Sequence, residues 1–148
     1  MDKIHDTLAD LSGGTPVWFT VAACILPVGI LGQFLSAGLA LFSDSGHWGL
    51  HAFLGGALFI PVTSLLTGSL IVARLRGFGW WAGLTFGLYV GQVILAAGST
   101  PPLLWLHPFN GTLLFGAASI VLFKVERRVA AGKTARIHQG VERPIADR

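Results

Sequence analysis

The sequence predicts an all-α integral membrane protein: a four-helix bundle of up-down topology, made of two pseudo-equivalent helical hairpins. Three observations lead there. Of 148 residues, 53% are hydrophobic and only 11% are charged, against roughly 25% charged in an ordinary soluble domain. So few charges cannot clothe a soluble domain of this size, and the outer surface must face lipid. Between Val17 and Phe123 only Asp44, Arg74 and Arg76 are formally charged, which leaves long uninterrupted apolar runs. The second of those runs is echoed in the fourth. The same composition excludes a disordered chain, and the single cysteine, Cys24, excludes an intrachain disulfide framework.

A helix of about 20 apolar residues crosses the roughly 30 Å hydrocarbon core, and four segments reach or approach that length. The first, about 16–42, follows a leader (residues 1–15) carrying Asp2, Asp6 and Asp10 against one Lys3. That acidic leader and the length of the apolar run set it apart from a cleaved signal peptide, so it reads as retained. Asp44 closes it. The second, about 48–73, runs to Arg74 and Arg76; the third, about 79–97, stops before Pro101-Pro102; the fourth spans about 103–123. Continuous runs of Leu, Ala, Gly and Ile predict helices, since a barrel strand would alternate over a short segment. Pro27 and Pro61 fall inside spans and are expected to bend them, with the freed carbonyls taken up by hydroxyls such as Thr20 or Thr63. Cys24 is expected to be a buried packing residue. Gly55-Gly56, Gly83, Gly87, Gly91, Gly111 and Gly116 supply the small surfaces that let membrane helices approach.

All ten Lys and Arg residues fall in the leader (Lys3), the second connection (Arg74, Arg76) or the segment after Phe123. Four spans put those three regions on one side. The positive-inside rule makes that side cytoplasmic, with the chain multi-pass in a bacterial inner membrane and both termini inside. Trp18, Trp80 and Trp81 would then line the inner interface, and Trp48 and Trp105 the outer one. The basic tail, 124–148, carries Lys124, Arg127, Arg128, Lys133, Arg136, Arg143 and Arg148 with Glu126, Glu142 and Asp147. It reads as a polar, mobile anchor able to meet anionic lipid at about 1 kcal/mol per charge. No basic stripe interleaved with aromatics points to nucleic acid.

The repeat sets Leu50-His51-Ala52-Phe53-Leu54-Gly55-Gly56-Ala57-Leu58-Phe59 beside Leu106-His107-Pro108-Phe109-Asn110-Gly111-Thr112-Leu113-Leu114-Phe115. Leu, His, Phe, a later Leu and the final Phe coincide. Upstream, Gly32-Gln33 in span one answers Gly91-Gln92 in span three. Two hairpins of the same orientation are related by an axis along the membrane normal.

His51 and His107 occupy matching places in the repeat, near one end of spans two and four. In an up-down bundle those spans can lie diagonally, so two inward histidines could reach a common point. A haem held between helices by one histidine from each is one use of a bundle core, with His51 and His107 as iron ligands. Phe53, Phe109, Gly55 and Gly111 beside them suit a flat apolar macrocycle. The competing reading makes both histidines structural caps copied by the duplication. His47, four residues before His51, could pinch zinc or copper with it, although only Asp44 lies near to complete a set. Gln33 and Gln92 are the deepest strongly polar side chains and must point inward, either to bond each other or to hold a ligand's polar edge. Asn110 stands where the first half has Leu54, a break in symmetry that could mark a substrate side. No nucleophile with a base, no phosphate loop and no carboxylate pair occurs within a span, which excludes hydrolase and phosphoryl-transfer chemistry.

From Gly32-Gln33 through Leu106-His107-Pro108-Phe109-Asn110-Gly111, the chain resembles small bacterial four-span proteins known only as a domain of unknown function, in which a Leu-His-Pro-x-Asn-Gly element opens the last span. The paired His51 and His107 are also similar to the arrangement in one half of haem A synthase and in cytochrome b561-type proteins. That resemblance implies haem ligation by these two residues. Two departures accompany it: the outer loops contain no Lys or Arg to pair with propionates, and two histidines, where di-haem cytochromes have four, allow one haem.

The expectation from sequence is therefore a membrane b-type haem protein with an electron-transfer or redox-sensing role. Its cofactor would be haem b, bound by His51, His107, Gln33, Gln92 and Asn110, and its partners would be the lipid bilayer and a quinone or membrane redox protein. The alternative, from another class, is a small non-enzymatic membrane protein that binds lipid or quinone, or serves as an oligomeric or accessory subunit of a larger complex.

Overall fold

The computed structural model describes residues 6–11, 13–98 and 101–142, with side chains described as far as Ile137. Lys3, Asp2, Arg143, Arg148 and Asp147, and the side chain of Glu142, lie outside the described residues. Among the described residues every regular element is a helix. Four stretches are long and apolar enough to cross a membrane: Val17–Phe42, Ser45–Ile71, Ala73–Ala97 and Pro101–Ile137. The chain is thus an all-α, multi-pass membrane four-helix bundle.

Helix α1 (Val17–Phe42) starts behind Pro16, whose φ of −59° is already helical and whose carbonyl accepts from the amides of Phe19 and Thr20 at 3.1 and 3.2 Å. It runs through Pro27 without a break. Past its end, the Asp44 carboxylate accepts the Gly46 amide at 2.8 Å and folds Ser45–His47 into a single 3-10 turn. The second span is two helices, α2 (Trp48–Ala57) and α3 (Phe59–Ile71), joined at Leu58. Pro61 explains the joint, because it has no N–H to offer the Ala57 carbonyl four residues back. The hydroxyls expected to repair such carbonyls act elsewhere. Thr63 Oγ1 donates to Phe59 and Ile60 at 2.7 and 3.1 Å, and Thr20 Oγ1 to Pro16 at 3.4 Å, since a threonine hydroxyl reaches the carbonyl three or four residues before it.

A 3-10 stretch, Ala73–Phe78, carries Arg74 and Arg76 into α4 (Gly79–Ala97). The last helix, α5 (Pro101–Glu142), opens on the proline pair, where a missing N–H costs nothing, and passes Phe123 without interruption. The segment read as a mobile tail is therefore helical to Glu142. Val125 and Arg128, both essentially buried, anchor its first turns against the bundle. Cys24, expected to be buried, is exposed on α1, outside the packed stripe of Phe19, Ala22, Ala23, Leu26 and Ile30. An all-apolar helix gives no sequence cue to its inner face.

Helix α5 packs on α1 and α4, and α3 packs on the same two, so spans two and four are diagonal. The core gathers at one end. Phe19, Leu65, Leu75, Phe78, Val121 and Val125 are at most 1% exposed, and the rings of Phe19 and Phe78 meet edge-on at 5.3 Å. That same end collects Arg74 and the leader. The Arg128 guanidinium donates from Nη1 to the carbonyls of Thr7 and Ala9 at 2.7 Å each, and from Nη2 to that of Asp10 at 2.6 Å. Asp10 takes a left-handed φ of 49° there, a conformation aspartate tolerates better than most residues. At the opposite end α2 contributes no buried residue, and the bundle is open. A β-carbon at Gly68 would come 2.5 Å from Trp18 Cη2 and 3.0 Å from Phe19 Cδ2. Gly68→Leu is accordingly expected to wedge α1 from α3 and cost about 1–3 kcal/mol, measured as a lower midpoint of thermal unfolding in detergent.

Candidate functional site

The open end holds the two histidines. Their rings lie 6.2 Å apart between centroids at an interplanar angle of 61°, so spans two and four do bring them to one point. Each is oriented by the glutamine of its own half. His51 Nδ1 donates to the Gln33 carbonyl at 3.1 Å, and His107 Nδ1 to the Gln92 carbonyl at 3.2 Å. A neutral imidazole that gives its Nδ1 proton to a carbonyl keeps its lone pair on Nε2. The glycine one turn beyond each histidine makes the matching glutamine fit. A β-carbon at Gly55 would approach Gln33 Oε1 at 3.3 Å, and one at Gly111 would approach Gln92 Nε2 at 3.2 Å. Gly55 and Gly111 are a further identical pair in the repeat. Gly32 and Gly91 are equivalent too, facing Leu54 at 4.0 Å and Asn110 at 3.8 Å. The duplication seen in the sequence thus recurs in three dimensions at these histidine, glutamine and glycine positions.

The two glutamine amides then diverge. They do not bond each other. Gln33 Nε2 donates to the His51 backbone carbonyl at 2.9 Å. Gln92 Nε2 instead faces His107 Nε2 at 3.1 Å, while Gln92 Oε1 accepts from Asn110 Nδ2 at 2.7 Å. Asn110 Nδ2 also donates to the Leu88 carbonyl at 2.9 Å. Two backbone carbonyls, those of Leu88 and Gln92, fix the polarity of this chain: one demands an amide donor from Asn110, the other the Nδ1 proton of His107. The Asn110 NH2 therefore meets the Gln92 oxygen, and the Gln92 NH2 meets the lone pair of His107. His51 differs. Ser36 Oγ stands 3.1 Å from its Nδ1, Trp48 packs edge-on against the ring at 5.6 Å, and among the described residues its Nε2 has no hydrogen-bond partner.

A cavity of about 550 Å³ adjoins both rings. Its walls are almost wholly apolar, with Ile30, Phe34, Val93 and Leu114 among them, and Gln33, Gln92 and the histidines supply its polar groups. Tyr89, which the sequence reading passed over, also lines it and donates its hydroxyl to the Gly55 carbonyl at 3.0 Å. Its signal was available: it is the only tyrosine in the chain and stands within an apolar span. Phe53 and Phe109, offered as walls for a macrocycle, are 71% and 62% exposed on the outer faces of their helices. His47 does not join the site. Its Nδ1 lies 2.9 Å from the Asp44 carbonyl within its own turn, and among the described residues no group of three or more metal-binding side chains occurs.

Residues 33–100 match a family of unknown function, DUF6220. The match takes in Gln33, His51, Tyr89 and Gln92 and stops before His107 and Asn110. No curated protein and no solved structure matches the chain, so the likeness to haem-binding bundles rests on the histidine arrangement alone.

Proposed function

We propose that this chain is a membrane-embedded b-type haem protein with an electron-transfer or redox-sensing role, and that His51 and His107 are its iron ligands. The observation that carries the reading is the spacing of the imidazoles. Spans two and four bring the imidazoles to 6.2 Å between centroids beside one cavity, so that one histidine from each half would be available to a single metal centre. The donor set agrees. Metal-binding histidines characteristically give their other N–H to a carbonyl or carboxylate, which fixes the tautomer and the ring orientation, and both rings here do so. The cavity of about 550 Å³ falls within the roughly 300–1,000 Å³ of cofactor pockets.

Haem would supply one-electron exchange. The residues of the chain supply the rest. Gln33 and Gln92 hold the imidazoles in register through their backbone carbonyls, and the apolar walls keep water away and raise the sensitivity of the site to charge. A second reading, a lipid or quinone site, is favoured by one observation: a few polar groups, the Gln92 amide and the Tyr89 hydroxyl beside Gln33 and the two histidines, stand in a largely apolar cavity, as polar groups that orient a lipophilic ligand do.

The test is a reduced-minus-oxidised absorption spectrum of protein purified in mild detergent from a haem-competent host, with haem quantified per chain. The expected result is a Soret band that shifts on reduction, near one haem per chain, and its loss in the double variant His51→Ala/His107→Ala that still inserts into the membrane. A colourless wild-type protein overturns the haem reading and leaves the lipid or quinone site.

A further inference from the structure

The two histidines are alike in sequence and each turns Nδ1 to the carbonyl of its own glutamine, with Ser36 added beside His51, yet they differ at Nε2. We infer that the site would hold haem firmly through His51 and only conditionally through His107, because the Gln92 amide, locked by Asn110, competes with iron for the His107 Nε2 lone pair. The coordination position left when His107 is not engaged would then admit a small neutral ligand such as carbon monoxide. The inference rests on the haem reading and adds to it the class of exogenous ligand and the residues that control access.

His107 Nε2 accepts from the Gln92 amide at 3.1 Å, and Gln92 cannot turn its oxygen toward that nitrogen, because the oxygen is held by Asn110 at 2.7 Å. Asn110 is pinned in turn by the Leu88 carbonyl at 2.9 Å. A lone pair engaged by an amide donor is a weaker ligand than a free one, and releasing it breaks a bond within an apolar cavity, where an unpaired amide is costly. No such competitor faces His51 Nε2 among the described residues, because the Gln33 amide is turned to the His51 main chain. The position that decides is 54 in one half and 110 in the other. Leucine cannot hold a glutamine oxygen and asparagine can, so this substitution within the repeat makes the surroundings of the two Nε2 atoms chemically different.

The experiment compares wild type with His51→Ala, His107→Ala and Asn110→Leu, which gives the second half the residue of the first. Each is purified from a haem-competent host, and the reduced protein is exposed to carbon monoxide. Expected are a carbon monoxide-induced Soret shift in wild type, and a loss of haem of at least tenfold in His51→Ala against a distinctly smaller loss in His107→Ala. Asn110→Leu should give a six-coordinate low-spin spectrum and at least tenfold weaker carbon monoxide binding. Gln92→Leu breaks the same contact from the other side and stands in if Asn110→Leu fails to fold. Reduced wild type that ignores carbon monoxide, or equal haem loss in the two single histidine variants, overturns this inference while leaving the haem reading intact. A wild type without haem overturns both.

Discussion

Gly111→Leu is expected, on the haem reading proposed above, to lower the haem bound per chain at least tenfold. Gly111 is buried, and a β-carbon there already meets Gln92 Nε2 at 3.2 Å and Phe34 Cε1 at 3.4 Å. The rest of a leucine has nowhere to go except between those groups and into the cavity, which Gly111 itself lines. It displaces the Gln92 amide and fills the space beside His107. Overpacking of this kind costs about 1–3 kcal/mol, so the bundle should survive with a lower Tm while the site does not. Haem per chain and a detergent melt on the same preparation separate the two effects. Gly111→Ala is the control: it asks the Gln92 amide to move by only a few tenths of an ångström and should keep most of the haem. A Gly111→Leu protein with full haem content would mean that the cofactor sits elsewhere.

The second large effect is expected at the opposite end of the bundle. Arg128 is 1% exposed and gives three short hydrogen bonds to the backbone of the leader, at Thr7, Ala9 and Asp10. Hydrogen bonds from a charged donor contribute about 1.5–3 kcal/mol each in substitution series. Water would recover part of that for the freed carbonyls, which leaves a net loss of about 3 kcal/mol for Arg128→Ala. The checking measurement is limited proteolysis of the leader beside a thermal melt. Cleavage within residues 6–11 should accelerate sharply and Tm should fall. Arg128→Lys is expected to rescue little, since one ammonium cannot reproduce a planar fork that reaches three carbonyls. Gly77→Ala provides an independent route to the same outcome, because its β-carbon would collide with the main chain of Asp6 and Thr7. If the leader stays protected in all three variants, the clamp is not what holds it. Both histidine rings lie far along the bundle from Arg128, so haem content should be unchanged.

How much of this was legible in the sequence differs from element to element. The helical spans and the repeat follow from one-dimensional patterns, and the structure departs from them only where local chemistry intervened. Pro61 divided the second span at Leu58, and a run of good helix formers carried α5 on to Glu142. His51, His107, Gln33, Gln92 and Asn110 were each named from sequence, and all five meet at the open end. The roles of the glutamines were not legible. Whether two amides bond each other, a main chain or a ring depends on helix rotation and side-chain torsions, and neither leaves a trace in residue spacing. Cys24 went wrong for the same reason, since on a helix apolar all round nothing marks the face that turns outward.

The sequence by itself determined the membrane class, the four spans and the pairing of His51 with His107, because these depend on hydropathy, on the placement of charge and on duplication, which are properties of the chain in one dimension. Only the tertiary structure decided that the two imidazoles come within 6.2 Å while, among the described residues, an amide meets the Nε2 of His107 and none meets that of His51. That difference is set by which carbonyls and amides four separate helices bring within hydrogen-bond reach, where the geometry of donors and acceptors decides what a repeat of identical residues leaves open.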